Sequence, residues 1–309
     1  MSAMVAAFLA DLFESHRAHL LSVAYRLTGS AGDAEDAVQE SWLRLAGTHQ
    51  SEIEDLRGWL TTVVSRICLD RLRSAAVRRE TYVGQWLPEP VVTGITPSTM
   101  PDPLEAVVRK QECSLAAMIV LESMTPPQRV AFVLHEGLSV PFDRISEILG
   151  VSVEAARQLA VRARKSVAQA PPPVPDAEHA AAVRRFIDAL SAGDIGAITA
   201  VLHPDSVVIG DANGTTSTAI NVIAGADRVA RFFVGLLRRY GLDGSSEPTL
   251  EFEFATVNGQ LGLVVFRAGP GYGRLEGPPR VVGFAVRDGL VCGTYDLANP
   301  EKLSHVRLG

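Results

Sequence analysis

The sequence is poor in cysteine and has no long apolar run, and each shortage excludes a class of protein. Its 309 residues include three cysteines, which are far apart and form no CxxC pair. A disulfide framework and a cysteine-based zinc site are therefore unsupported, and we expect a reducing compartment. No apolar run reaches the roughly 18 residues that a membrane helix needs, so we expect no membrane contact.

The chain also lacks an excess of positive charge. Lys and Arg total 29 against 35 Asp and Glu, and the formal net charge is −6. This balance excludes a wholesale basic nucleic-acid binder, so any nucleic-acid contact must come from local clusters. The chain is too apolar to be disordered and long enough for two or three cores. Its first residues lack a basic stretch before an apolar one, so we expect no signal peptide and a cytoplasmic protein.

Two proline-rich stretches divide the chain. The first covers residues 86–103 and begins WLPEP, and the second is APPPVP at 170–175. Proline lacks a backbone donor and disfavours helix in the residue before it, so we expect both stretches to be linkers. They separate residues 1–85 and 104–169, which have helical patterns, from 176–309, where helices precede strand-like runs.

The first unit predicts two helices with charged faces. Apolar residues between 34 and 45 recur at helical spacing, and Asp70 in the next helix, at about 56–73, lies between two arginines at i−4 and i+3. Charged helix faces are usually just solvated. The acidic face of the first helix would also suit a basic docking partner, and the arginine-rich face of the second would suit a phosphate contact. The acidic face comprises Asp33, Glu35, Asp36, Gln39 and Glu40, beside Trp42; the arginine strip comprises Arg66 and Arg73 with Asp70, then Arg78 and Arg79.

Residues 142–165 carry the most specific local signal. A short helix containing the small Ser146 precedes Gly150, which suits a turn with positive φ, and Ser152 is a good N-cap for a second helix. The pattern predicts a helix-turn-helix whose second helix enters the major groove, the alternative being an ordinary helical hairpin. Its predicted DNA contacts are Ser152 at the cap, Glu154, Arg157 and Gln158 near base edges, and Arg162, Arg164 and Lys165 on phosphates.

The two helical units together resemble sigma-70-type factors of RNA polymerase. LLSVAYRLTGSAGDAEDAVQESWLRL at 20–45 is similar to the part of region 2 that docks on the polymerase clamp helices. LRGWLTTVVSRICLDRLRSAAVRR at 56–79 resembles the part that melts and reads the −10 element, and residues 124–165 resemble region 4, which reads the −35 element. Without a recognisable region 1 or 3, the pair is similar to the extracytoplasmic-function group.

This resemblance implies partners and roles. The partners would be the RNA polymerase core, through the clamp region of its largest subunit and its flap region, and promoter DNA. The acidic face would bind the clamp, and the loop 47–55 would capture a flipped-out base. The arginine strip would contact the −10 element, and the second helix of the helix-turn-helix the −35 element.

The C-terminal unit resembles a SnoaL-like domain of the NTF2-like superfamily. The resemblance begins at AAVRRFIDALSAGDIGAITAVLHPDSVVIGDANG, residues 181–214, and implies a cone-shaped α+β fold with a cavity. The fold class expected is therefore two all-α domains followed by an α+β domain. WLPEP and the NPxKL-like motif at 299–303 are similar to a subgroup in which this domain regulates in cis. The implied regulatory contacts are Trp86, Leu87, Pro88, Asp211, Asn299 and Lys302.

Two other functions remain open from the residues. One is a one-component helix-turn-helix regulator whose C-terminal cavity senses a small-molecule ligand. The other is an enzyme with a DNA-binding appendage, for which His203, Asp211 and Asp296 are the acid–base candidates. Because no acid–base pairing is visible, we expect no catalytic residue, no cofactor and no metal.

Overall fold

The computed structural model forms two compact units. The first comprises Met1–Glu80, Pro101–Cys113 and Ala117–Ala170, and the second Thr81–Met100, Ser114–Ala116 and Pro171–Gly309. Most of both predicted helical segments thus belongs to one unit, and the described part of the predicted first linker belongs to the other. The structure describes residues 3–48, 53–79, 82–94, 104, 108, 113–168, 170–216, 218–239, 250–267, 279–304 and 306.

Helices dominate the described residues up to 168. The predicted helix at 56–73 continues to Arg79, since no proline or glycine interrupts residues 74–79. None of the described helices has the length and hydrophobicity of a membrane span. The helices are α1 (Ala3–Thr28), α2 (Ala31–Ala46), α3 (Leu56–Arg79), α4 (Leu115–Glu122), α5 (Pro126–Leu138), α6 (Phe142–Leu149) and α7 (Val153–Val167).

A buried arginine connects the two predicted helical segments inside the first unit. Arg129 of α5 donates to Oε1 of Glu122 at 2.6 Å and to the carbonyl oxygen of Leu27, near the end of α1, at 2.9 Å. The two charged side chains are only 2% and 6% exposed. Because a buried charge is costly without its partner, this pair holds α5 against the end of α1.

The second unit is an α+β structure built on one sheet. Among the described residues the strand order is β1-β4-β5-β6-β7-β2-β3, and every neighbouring pair is antiparallel except β2 and β7. Its elements are β1 (Val92–Thr93), α8 (Asp176–Ala192), α9 (Ile195–Ala200), β2 (Leu202–Asp211), β3 (Ile223–Ala224), α10 (Ala226–Arg239), β4 (Leu250–Val257), β5 (Gln260–Arg267), β6 (Arg280–Arg287), β7 (Leu290–Leu297) and α11 (Pro300–Leu303). The predicted fold class is confirmed.

The core of this unit lies between helices α8 and α10 and one face of the sheet. Alternate residues of the strands supply that face, as the period of two requires, among them Leu263 of β5 and Phe284 of β6. Phe186 of α8 meets Phe233 of α10 and Phe284 edge-on, with ring centres 5.2 and 6.0 Å apart. The parallel pairing of β2 with β7 places the end of β2 next to the end of β7, with Asp211 opposite Leu297.

We expect Glu122→Ala to lower the free energy of unfolding by about 3–5 kcal/mol, because it leaves the buried guanidinium of Arg129 without its carboxylate. Glu136→Ala removes the exposed pair with Arg164 instead, and should cost about 1 kcal/mol or less. Denaturant unfolding followed by far-ultraviolet circular dichroism measures both. Equal losses in the two variants would show that burial of the first pair is unimportant.

Candidate functional site

The predicted acidic face of α2 divides into two sets of side chains. Ser30 caps the helix, and its hydroxyl accepts from the backbone N–H of Asp33 at 3.1 Å. Nη1 of Arg71 in α3 lies 2.9 Å from Asp33 and 3.3 Å from Asp36, and its Nη2 lies 4.0 Å from Glu40. Three of the predicted docking carboxylates are therefore partly neutralised within the fold.

Arg71 was missed by the sequence interpretation, although a signal for it exists. It lies on the apolar stripe of α3, four residues after Ile67 and seven after Val64. An arginine on a buried stripe needs an acidic partner, and α2 is the acidic neighbour of α3. The pairing with Asp33 and Asp36 follows from that rule.

The other set of predicted residues lines a groove between α1 and α2. The groove has a volume of 380 Å³, and its lining includes Phe13 and Arg17 of α1 with Glu35, Gln39 and Trp42 of α2. The rings of Phe13 and Trp42 are 5.2 Å apart. An apolar floor beside exposed carboxylates suits a partner with apolar and basic side chains.

The predicted −10 strip is partly engaged inside the first unit. Arg66 donates from Nη2 to the carbonyl oxygen of Glu147 in α6 at 3.1 Å. Asp70 pairs with Arg73 at 3.5 Å on an exposed surface. The side chains of Arg78 and Arg79 lie outside the described residues, as does the middle of the loop 47–55.

The helix-turn-helix has the predicted helices and turn. Gly150 has a φ of 68°, the left-handed conformation that suits glycine, and its N–H donates to the carbonyl oxygen of Ser146. The hydroxyl of Ser152 accepts from the N–H of Ala155 at 3.2 Å. The buried face of α7 consists of Ala156, Ala160 and Ala163, and Ala155 and Leu159 beside it are half-buried.

The outward face of α7 carries most of the predicted −35 contacts, with one change. Glu154, Arg157 and Gln158 are exposed near its start, and Arg162 and Lys165 are exposed near its end. Arg157 lies 3.8 Å from Glu154, and its guanidinium is 5.9 Å from the ring centre of Phe142.

Arg164, which the sequence predicted to contact a phosphate, pairs with a carboxylate inside the first unit. Its Nε and Nη2 donate to Oε1 of Glu136 at 2.8 and 2.6 Å. This pair links α7 to α5, although half of the Arg164 side chain stays exposed. Arg162 and Lys165 are therefore the better phosphate candidates.

A buried carboxylate at the end of β2 holds the segment 82–93, which we call the strap. Asp211 is completely buried, and its Oδ1 accepts a hydrogen bond from the hydroxyl of Tyr82. Its Oδ2 accepts from the backbone N–H of Leu87 at 2.7 Å and from Nζ of Lys302 at 2.7 Å. Three donors thus satisfy one carboxylate, two of them from the strap.

Lys302 of α11 is the second charged member of this site. The residue is only 4% exposed. Its ammonium also donates to the carbonyl oxygen of Leu87. It lies 3.3 Å from the ring centre of Trp86 and 5.3 Å from that of Tyr82. One ammonium therefore contacts the strap through a hydrogen bond and through two aromatic faces.

Asn299 completes the cluster. Its Nδ2 donates to the hydroxyl of Tyr82 at 2.8 Å, and its Oδ1 accepts from the N–H of Glu301 as the N-cap of α11. The structure therefore brings together Trp86, Leu87, Asp211, Asn299 and Lys302, and Pro88 is buried next to Leu87.

The strap then joins the sheet. Val91 donates to Oδ1 of Asn258 at 3.0 Å, and the N–H of Asn258 donates to the carbonyl oxygen of Val91 at 2.8 Å. Val92 pairs with Val257 as β1 adds to the edge of β4. Tyr82 and Asn258 were not among the predicted residues. The Asn258-Gly259 turn signal was visible, but its partner is 167 residues away.

The three acid–base candidates each have their own partners. Asp211 is occupied by the strap and Lys302. Burial raises the pKa of Asp296, whose Oδ2 accepts from Thr218 at 2.7 Å and Arg280 at 2.8 Å. His203, the second residue of β2, lies 4.0 Å from Asp205 and from Asp288. The hydroxyl of Tyr82 serves as a donor, and its burial next to Asp211 raises its pKa.

Three known families match successive parts of the chain. Sigma-70 region 2 matches residues 12–78, and Sigma-70, region 4 matches residues 116–167. The SnoaL-like domain matches residues 183–293. The order of the three matches is that of the predicted units.

Two full-length relatives and one crystal structure are similar to the chain. ECF RNA polymerase sigma factor SigJ of Mycobacterium tuberculosis (strain H37Rv) is 51% identical over 299 residues, covering 94% of this chain and 92% of the relative. Probable ECF RNA polymerase sigma factor SigI from the same strain is 33% identical over 302 residues, covering 96% and 94%. The crystal structure of M. tuberculosis SigJ matches with a TM-score of 0.77 at 47% identity, covering 96% of this chain and 98% of that one.

We expect Asp211→Asn to loosen the strap, because it leaves the buried ammonium of Lys302 without a carboxylate. The free energy of unfolding of the second unit should fall by about 3–5 kcal/mol. Limited digestion with chymotrypsin should cut faster after Tyr82 and Trp86. Asp205→Asn is the control, since the Asp205 side chain is 83% exposed. Equal cleavage rates in both variants would contradict the role given to Asp211.

Proposed function

We propose a function for each unit of this chain, which belongs to the extracytoplasmic-function (ECF) family of RNA polymerase sigma factors. Members of this family bind the polymerase core and promoter DNA. The first unit directs promoter-specific initiation, and the SnoaL-like domain in the second unit modulates that activity in cis. The observation that carries the second part is the strap, which the second unit holds through Asp211 and Lys302.

The groove between α1 and α2 is the proposed docking surface for the clamp region of the polymerase. Glu35 and Gln39 are exposed on its wall, next to Trp42 and Phe13. Carboxylates that face solvent steer a basic partner and fix its register, whereas an aromatic floor supplies buried area. The carboxylates bound to Arg71 contribute less, because part of their charge is already compensated.

Promoter DNA is proposed to contact α3 and α7. Arg66 and Arg73 on α3 would bind the −10 region, and Arg66 must leave the carbonyl oxygen of Glu147 to do so. Arg157 and Gln158 at the start of α7 would reach base edges of the −35 element, whereas Arg162 and Lys165 would reach phosphates. A sigma factor acts together with the polymerase, so the acidic net charge of the chain does not oppose this function.

Modulation in cis is proposed to act through the length of flexible chain that connects the region 2 segment to the region 4 segment. The strap lies in sequence between the segment that matches region 2 and the segment that matches region 4. While Asp211 and Lys302 hold residues 82–93, those residues cannot serve as a flexible connection. Release of the strap frees that length, so that α3 and α7 can separate once the contacts of Arg66 with Glu147 and of Arg129 with Leu27 also break.

Docking is tested by Glu35→Arg combined with Gln39→Arg, which reverses the charge of the groove wall without touching the Arg71 pairs. We expect this variant to lose binding to core polymerase while its circular dichroism spectrum stays that of the wild type. Asp11→Arg, an exposed change on another face of α1, should bind normally. Pull-down of core polymerase measures both. Undiminished binding in the double variant would favour a one-component regulator over a sigma factor.

Modulation is tested by run-off transcription with core polymerase. We expect Asp211→Asn and deletion of residues 176–309 to change the amount of promoter-specific transcript in the same direction, because both release the strap. Asp205→Asn should match the wild type. The region upstream of the gene is the first template to try. If the deletion leaves the transcript unchanged, the second unit does not regulate transcription.

A further inference from the structure

Helix α10 buries one side in the second unit and exposes a basic side. Its inward side chains, Val229, Ala230, Val234 and Leu237, belong to the core. Of its 14 residues, the exposed ones are Asp227, Arg228, Arg231, Gly235, Arg238 and Arg239. We call Arg228, Arg231, Gly235, Arg238 and Arg239 the α10 arginine face. A concentration of arginine on one helix is unexpected in a chain of net charge −6.

One acid faces these arginines on the same helix, and it orients one of them. Oδ2 of Asp227 accepts from Nε of Arg231 at 2.9 Å, and its Oδ1 accepts from Nη2 at 3.1 Å. These two hydrogen bonds orient the guanidinium of Arg231. One acid against several arginines leaves the α10 arginine face with a net positive charge. Guanidinium groups match the geometry of phosphate oxygens and bind them bidentately.

Gly235 is the second observation that points to a partner. It lies inside the helix, between Arg231 and Arg238 on the exposed side, and a Cβ placed there would have no atom within 4 Å. Glycine disfavours helix interior, so neither helix stability nor packing accounts for this residue. It leaves a bare stretch of backbone between arginines, where another chain can approach closely.

We propose that the α10 arginine face binds the phosphate backbone of duplex DNA without reading its sequence. From Arg228 to Arg239 the helix extends about 16 Å at 1.5 Å per residue. Each strand of duplex DNA carries one charge per roughly 3.4 Å of axis, so the face can lie beside about five phosphates of one strand. The exposed positions include no amide or hydroxyl side chain, and the exposed acid is already paired, which favours phosphates over base edges.

This contact goes beyond the proposed function, because it gives the second unit a DNA contact of its own. Within a promoter complex it would add salt-dependent affinity that does not depend on promoter sequence, and that consequence rests on the proposed function. The binding itself does not, since it needs neither core polymerase nor a promoter. An acidic protein surface is the competing partner, and the experiment separates the two.

The test measures duplex binding by the full-length protein. Fluorescence anisotropy with a labelled duplex of arbitrary sequence, at several salt concentrations, gives the slope of log K against log salt. We expect Arg228→Gln combined with Arg238→Gln to reduce that slope by about 1.8, since each lost phosphate contact accounts for about 0.9. The control is Arg184→Gln combined with Arg185→Gln, which removes the same charge from exposed positions on α8 and should keep the wild-type slope.

A second variant guards against loss of folding. Gly235→Glu improves helix propensity while placing a carboxylate in the middle of the face, so it should weaken duplex binding without weakening the fold. A wild-type slope in the double arginine variant overturns the proposal, as does wild-type duplex affinity in Gly235→Glu or the absence of duplex binding by the wild type at low salt. Loss of affinity for core polymerase with unchanged duplex binding would assign the face to an acidic protein instead.

Run-off transcription keeps this inference separate from the proposed function. If holoenzyme gives no promoter-specific transcript, the proposed sigma activity fails, while the duplex slopes still decide the role of the face. If transcription is normal but the face variants keep the wild-type slope, the DNA contact fails and the sigma activity stands.

Discussion

The buried ion pair between Lys302 and Asp211 is the constraint on which the arrangement of the second unit depends. A carboxylate and an ammonium in an apolar interior are tolerated only when each finds several partners, and here the strap supplies most of them. Tyr82, Trp86 and Leu87 surround the pair with a hydroxyl, two aromatic faces and a peptide group. The strap is therefore part of the charge compensation of this unit, and β1 then continues it along the sheet edge.

Arginine has two kinds of role in this chain, and the surroundings of each residue decide between them. Arg71, Arg129 and Arg164 are held by carboxylates of neighbouring helices, so they connect elements of the first unit. On the outward faces of α7 and α10, Arg157 and Arg231 each lie next to an acid of their own helix, Glu154 and Asp227. Pairs that face solvent compensate charge only weakly, so these exposed arginines still present a positive potential to an anionic partner.

Much of the fold was predictable because it rests on local patterns. Gly150 and Ser152 define the turn and the cap of the helix-turn-helix within a few residues, and the strand-like runs within 176–309 indicated a sheet after the first helices of that segment. The strap contacts of Trp86 and Lys302 came from a family resemblance and not from the spacing of residues. The pairing of Arg164 was not predicted because its partner Glu136 lies on a different helix, and Arg71 was missed for the same reason.

The sequence by itself determined the element types, the order of the family regions and the candidate DNA-reading helix, since caps, turns and periodicity act over a few residues. Only the tertiary structure decided which charges are paired and to which unit the strap belongs. Asp211 and Leu87 are 124 residues apart in sequence, and Lys302 is 215 residues from Leu87. No local rule links such positions; they meet because packing of the sheet brings the ends of β2 and β7 together, and burial then makes each charge require its partners.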